Sequence, residues 1–156
     1  MEKPNLRLGE ILVKQGLIRE GVLEQALQEQ KSTGEFLGRI LLRKKYINED
    51  QLADALSLQF GMPRVSLKDR YIDWELVGRF SGALILESRC FPLSREEGRL
   101  IFVTVNPLDA VAMRKAQQEA GAEDVAFVLA VESEMDLLLE RYRKQVKSRI
   151  RNLLDE

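Results

Sequence analysis

The sequence predicts an α+β protein: an N-terminal four-helix subdomain made of two tandem helix-turn-helix repeats, then a small α/β layer of order β-β-α-β-α whose last element is a long C-terminal helix. Three observations lead there. Residues 7–30 and 36–59 are two copies of one unit, offset by 29. After Gly61-Met62-Pro63 the apolar residues change from helical spacing to short runs of strand type. Finally, Met135, Leu139, Tyr142, Val146, Ile150 and Leu153 keep i+3/i+4 spacing, as one long amphipathic helix requires.

In the first copy Leu8, Ile11 and Leu12 mark one helix, and Leu23, Ala26 and Leu27 mark a second. Leu37, Ile40, Leu41 and then Leu52, Ala55, Leu56 repeat the pattern, so four short helices are expected over residues 7–60. Gly16 suits the left-handed position after the first helix, and Asn48 suits an N-cap ahead of Glu49 and Asp50. Lys45 stands at the place equivalent to Gly16. A left-handed Lys costs about 1 kcal/mol relative to Gly, which predicts a turn that survives but is reshaped. Pro63 ends the helical region, placing the expected boundary between subdomains 1–62 and 63–156.

Beyond it, residues 64–67 read as a short extended segment and 73–80 as a helix with Trp74 and Val77 on one face. Strands are expected at 90–94 and 100–105, joined by a turn over 95–99. Residues 107–120 read as a helix with Pro107 near its first position and Gly121 as its stop. A third strand over 125–130 and a final helix over about 131–154 complete the layer. Cys90 and Trp74 are expected in the core, since no second ligand or stacking group accompanies either.

Composition narrows the function. With 24 basic and 25 acidic residues, no global field gathers nucleic acid or an anionic membrane. No stretch approaches the ~20 apolar residues of a membrane span, and MEKPNLRLGE has no apolar signal-peptide core, so a cytoplasmic location without direct membrane insertion is expected. A single Cys and no His leave no ordinary zinc site and no Ser-His or Cys-His nucleophile system. No G-x-x-x-x-G-K-[ST] loop occurs, so the expectation is a non-enzyme that needs no cofactor or metal.

The repeat carries the recognition chemistry. Its matched pairs are Leu8/Leu37, Gly9/Gly38, Ile11/Ile40, Leu12/Leu41, Ile18/Ile47, Glu20/Glu49, Leu23/Leu52, Ala26/Ala55, Leu27/Leu56 and Gln30/Gln59. Hydrophobic periodicity accounts for the leucines but not for the paired Gly and Gln. Leu23, Leu27 and Gln30 fall on one helix face, as do Leu52, Leu56 and Gln59, each an apolar shelf with an amide at its end. Such a shelf suits a flat heterocycle with polar edges; the same leucines equally suit a core seam. Arg7, Leu8 and Gly9 precede or open the first helix, where free N–H groups favour a phosphate and Arg7 can grip an anion or a base edge. A surface Arg at such a place also commonly pairs with Glu or is simply solvated.

The pattern R-L-G, six residues, G, six residues, L, three residues, L, two residues, Q is met in full by Arg7, Leu8, Gly9, Gly16, Leu23, Leu27 and Gln30. After a spacer from Lys31 to Glu35 it recurs as Leu37, Gly38, Leu52, Leu56 and Gln59. This tandem motif resembles that of the MshEN domain, the N-terminal domain of type II secretion and type IV pilus assembly ATPases. CFPLSREEGRLIFVTVNPLDA is similar to the hairpin and helix start that follow in that family, with Asn106-Pro107 where Asp-Pro is common. The resemblance implies binding of cyclic di-GMP, one guanine per motif, through the helical leucines, the motif Arg and the Gln residues; from the residues themselves, Phe36 is expected to pack on a base and Arg39 to supply charge in the second copy. It also implies a secretion or pilus ATPase core, or an inner-membrane platform protein, as partner.

Two departures stand out: Phe36 where the family usually has a basic residue, and Lys45 where the turn Gly belongs. Losing one charge-assisted contact costs about 1.5–3 kcal/mol, roughly ten- to a hundredfold in affinity. Arg39, Arg43 and Lys44 are near enough in sequence to supply charge instead. Two readings remain: a cyclic di-GMP-binding regulatory module, and a protein-interaction adaptor of the same machinery with a decayed nucleotide site. Nucleic-acid binding through the basic last helix is disfavoured by the near-neutral charge and the absence of a recognition motif.

Overall fold

The computed structural model describes residues 4–155, with side chains from Arg7 onward; residues 1–3 of the start read above lie outside the described residues. The chain divides into two compact units, Met1–Arg64 and Val65–Glu156.

The first unit is four helices: α1 (Pro4–Lys14), α2 (Glu20–Thr33), α3 (Leu37–Arg43) and α4 (Glu49–Phe60). Leu8, Leu12, Leu37, Ile40, Leu41 and Leu56 are at most 1% exposed and form its centre. The turn inside each copy is the same. Gly16 (φ 75) donates to Val13 O at 2.9 Å and Leu17 to Leu12 O at 3.0 Å; Lys45 (φ 64) donates to Leu42 O at 3.0 Å and Tyr46 to Leu41 O at 3.0 Å. Both are Schellman ends, so Lys45 accepts the left-handed strain and the turn is not reshaped. Asn48 caps α4 as expected: Gln51 N donates to Asn48 Oδ1 at 2.8 Å, and Asn48 N donates back to Gln51 Oε1 at 2.9 Å. Arg19, the equivalent residue before α2, makes no side-chain cap.

The second unit opens with α5 (Trp74–Val77), capped by Asp73, whose Oδ1 accepts from Leu76 N at 3.2 Å. The helix expected over 73–80 is thus shorter, because Arg79 and Phe80 donate three residues back and tighten the chain out of α geometry. A single π turn at Ala83–Glu87 follows, where the sequence reading assigned no element. Strands β1 (Phe91–Glu96) and β2 (Arg99–Thr104) pair antiparallel, with a bulge between Pro92 and Ser94. The hairpin turn is tighter than expected: only Glu97 (φ 51) and Gly98 (φ 76) bridge the strands, the two positive φ values of a type I′ turn.

Helix α6 (Ala110–Ala120) starts three residues later than the expected 107, because Asp109 is its N-cap, accepting from Ala112 N at 3.0 Å. Pro107 sits instead in the preceding turn, closed by Asp109 N to Asn106 O at 3.1 Å. Strand β3 (Val125–Leu129) pairs parallel to β2, Leu100 opposite Val125, giving the sheet order β1-β2-β3. Helix α7 (Glu132–Leu154) ends the layer. Phe102, on the middle strand and fully buried, stacks on Phe127 at 5.9 Å and meets Phe80 edge-on at 5.2 Å. Cys90 is buried and its thiol is pushed up to about 11, by burial first and the Asp109 charge second, so at neutral pH it is an inert core group. Trp74 is only half-buried, with the Arg141 guanidinium 5.9 Å from its ring centre, a partial correction of its expected core role.

Candidate functional site

Each copy is assembled by one glycine. A methyl built on Gly9 would fall 2.2 Å from Leu23 Cδ1, and one built on Gly38 would fall 2.7 Å from Leu52 Cδ1. The missing side chain lets a leucine of the second helix lie on the backbone of the first. This seats Leu23 of α2 against α1 and Leu52 of α4 against α3, and so sets the rotation of the helices that carry Leu27 and Gln30, and Leu56 and Gln59. The paired glycines therefore have a packing cause.

The start of α1 corrects one expectation. α1 begins at Pro4, so Arg7 and Gly9 do not open it; Gly9 lies past the first four residues, the ones whose N–H groups lack intrahelical partners. An anion held on a free Gly9 amide is excluded in the first copy. In the second copy Phe36 is the N-cap of α3, with Leu37 and Gly38 its first two helical residues.

The fourteen sequence candidates fall into two sets. Leu8, Gly9, Leu23, Leu37, Gly38, Leu52 and Leu56 are buried and take part in packing. Arg7, Gly16 and Arg39 are exposed, and Leu27, Gln30, Phe36 and Gln59 are half-buried, leaving them the surface that a ligand can touch. Gln59 is not the free amide expected at a shelf end: its Oε1 is shut off from solvent. The Phe36 ring folds back on its own helix, its Cε1 2.8 Å from the methyl position of Gly38, so that Phe36 and Leu52 share one slot.

Two of the proposed substitute cations are engaged elsewhere. Arg43 Nη2 lies 2.9 Å from both Glu29 and Glu35, and Lys44 Nζ lies 2.7 Å from Glu29. Lys44, then Arg43, hold the Glu29 carboxyl below its ordinary range, and Glu35 with Glu29 raises Arg43 further above its own. The sequence reading missed this clasp between α2 and α3. Its signal was available in the opposite charges on either side of the 31–35 spacer. Arg64 closes the unit with a similar fork on α4, 2.7 Å from Asp54 and also paired with Asp50.

Among the described residues no group of three or more His, Cys, Asp or Glu is placed to hold a metal ion, and no helix is long and apolar enough to cross a membrane.

Comparison with known proteins adds a family. The MshEN domain profile matches residues 60–149, more than half of the chain. That match covers the second unit as far as residue 149 and begins directly after Gln59, so the tandem motif stands upstream of it. The type IV pilus assembly ATPase PilB of Myxococcus xanthus is 29% identical over 136 residues, 87% of this chain and 24% of that protein. PilB of Thermus thermophilus is 48% identical over 58 residues, 37% of this chain and 6% of that protein. The chain therefore spans about a quarter, or less, of these relatives. Among solved structures, MshE with cdg superposes with TM-score 0.78 at 29% identity, covering 87% of this chain and 98% of that one. The N-terminal domain of XpsE shares the fold, with TM-score 0.72 at 21% identity over 90% of this chain and 98% of that one.

Proposed function

Because this chain belongs to the MshEN domain family, we propose that it is a cyclic di-GMP-binding regulatory module of a type IV pilus or type II secretion ATPase system, acting in the cytoplasm by recognition and not by catalysis. One observation carries this reading: the complete first motif, Arg7 to Gln30, lies on a helix pair of a chain that is similar over 87% of its length to MshE solved with cdg. In this reading Arg7 makes the charge-assisted contact, to a phosphate or to the O6/N7 edge of guanine. Leu27 covers the face of the base and Gln30 pairs with its rim. Phe36, Arg39 and Gln59 serve the second base, while the buried leucines, Gly9, Gly38 and the Gly16 turn keep the two helix pairs in shape.

Recognition is assigned to residues 1–62. Residues 63–156 support that unit and pass its state to an ATPase core or a platform protein. Calorimetric titration of the chain with cyclic di-GMP tests the reading. Arg7→Ala should weaken binding about ten- to a hundredfold, one charged hydrogen-bond pair, with unchanged circular dichroism. Equal affinities for wild type and variant, or no heat with either at micromolar ligand, would remove the receptor function.

A second reading has one observation in its favour: Phe36 occupies the slot over Gly38 together with Leu52. An adaptor with a decayed nucleotide site would look like this in its second copy. It predicts no heat with cyclic di-GMP and retained capture of a platform protein's cytoplasmic part.

A further inference from the structure

In the second unit the apolar series of α7 continues beyond the core. Val146, Ile150 and Leu153 extend the spacing from Tyr142 and are 36%, 53% and 69% exposed. They form one wall of a groove of about 220 Å3 whose other wall is Trp74, Val77 and Phe80. Arg149 lies along its rim, where the bare backbone of Gly78 makes room: a methyl there would fall 3.0 Å from the guanidinium Nη1. From Arg141 to Leu154 the helix carries six basic residues and no acidic one. Arg143, Lys144, Lys147, Arg149 and Arg151 make no hydrogen bond or ion pair through their side chains among the described residues.

We propose that this groove docks an acidic amphipathic helix of a partner protein. Apolar side chains of the partner would seat between Trp74 and Ile150, and its carboxylates would meet Arg149 and the basic border of α7. Three features select this occupant. A slot with two apolar walls accepts a side-chain knob, which a lipid surface does not provide. A second copy of the chain would bring the same six cations to the contact, and like charges there oppose pairing. An acidic helix instead satisfies a row of cations that have no partner among the described residues, while its apolar face covers the exposed seam.

Trp74 is the sole tryptophan of the chain and lines the groove, so its fluorescence reports occupancy directly. A helical peptide of Glu and Leu at amphipathic spacing, titrated into the whole chain, should shift the Trp74 emission to the blue and saturate. Arg149→Glu should weaken that binding about tenfold or more, and Ile150→Glu should abolish it. Both side chains are exposed, so melting temperatures should stay at the wild-type value, which separates lost docking from lost folding. The proposal fails if the acidic peptide gives no shift, or if a Lys/Leu peptide of the same spacing binds equally well. It also fails if vesicles of equal parts phosphatidylcholine and phosphatidylglycerol produce the shift and the peptide does not, making the surface lipid-directed. A dimer in light scattering that Ile150→Glu dissolves would overturn it too, by assigning the groove to a second copy of the chain.

Discussion

The two copies of the repeat share ten identities and the same Schellman turn, yet the second is the more deeply buried. Ile11 is half-buried and its counterpart Ile40 is 0% exposed; Leu27 keeps some surface, whereas Leu56 is 1% exposed. Exposed Glu24 is replaced by buried Ala53. The ends differ as well. α1 runs back to Pro4 through Arg7, while α3 is seven residues long and starts only after Phe36. α2 begins without a side-chain cap and α4 begins with a full capping box. Repeating a backbone therefore does not repeat a binding surface: how much of each shelf remains for a ligand depends on what its helix faces. The first copy keeps an exposed cation and a part-exposed leucine, and the second uses the equivalent positions for its own packing.

The largest expected effect tests that difference in burial. Leu56→Ala should cost about 2–5 kcal/mol, as for a filled core site, and Leu27→Ala clearly less because part of its surface is already in water. Equal costs in urea denaturation would mean that the copies are equivalent. Next is the ligand. Phe36→Arg combined with Lys45→Gly rebuilds the family pattern in the second copy and should tighten cyclic di-GMP binding by roughly 1–3 kcal/mol, read by calorimetry. An unchanged affinity would place the second copy outside the site, or show that Phe36 already compensates.

Smaller effects concern the turns and caps. Asn48→Ala should lose about 1 kcal/mol through the broken capping box, while Arg19→Ala, at the uncapped start of α2, should be nearly neutral. Lys45→Gly alone should stabilise by roughly 0.5–1 kcal/mol and Gly16→Ala should destabilise by a similar amount, since both places hold a left-handed backbone. Matching signs in thermal melts would contradict the shared turn.

The smallest effect is acid loosening of the Glu29 clasp. Lys44 and Arg43 lower the folded-state pKa of Glu29 below the unfolded value near 4.5, so the contribution is present above that pH and fades as pH falls through the lower folded value. Amide exchange at the α2–α3 junction should quicken there, and the difference should vanish in Glu29→Gln. Persistence in that variant would assign the acid sensitivity to another carboxylate.

Much of the fold was legible because periodicity and chain punctuation are local. The positions of α2, α4, β3 and α7 follow from apolar spacing, with Asn48 and Gly61 at the two ends of α4, and Gly121 marks the end of α6. Misplaced boundaries share a cause: a cap or turn overrode the apolar pattern. Asp109 moved the start of α6 and positive φ at Glu97 shortened the hairpin turn, while α1 runs back to Pro4, beyond the motif. The π turn at Ala83–Glu87 has no periodic signature in five residues and could not be read.

For the candidate site, the sequence alone determined the pairs Gly9/Gly38, Leu23/Leu52 and Gln30/Gln59, since duplicated spacing is a property of the chain before it folds. Only the tertiary structure decided what each member does. That Gly9 and Gly38 are seats for leucines, that Leu56 is core while Leu27 is not, and that Arg43 and Lys44 are tied to Glu29 all depend on which helix lies opposite. Burial and ion pairing are made by residues distant in sequence, so they come into being only when the helices meet.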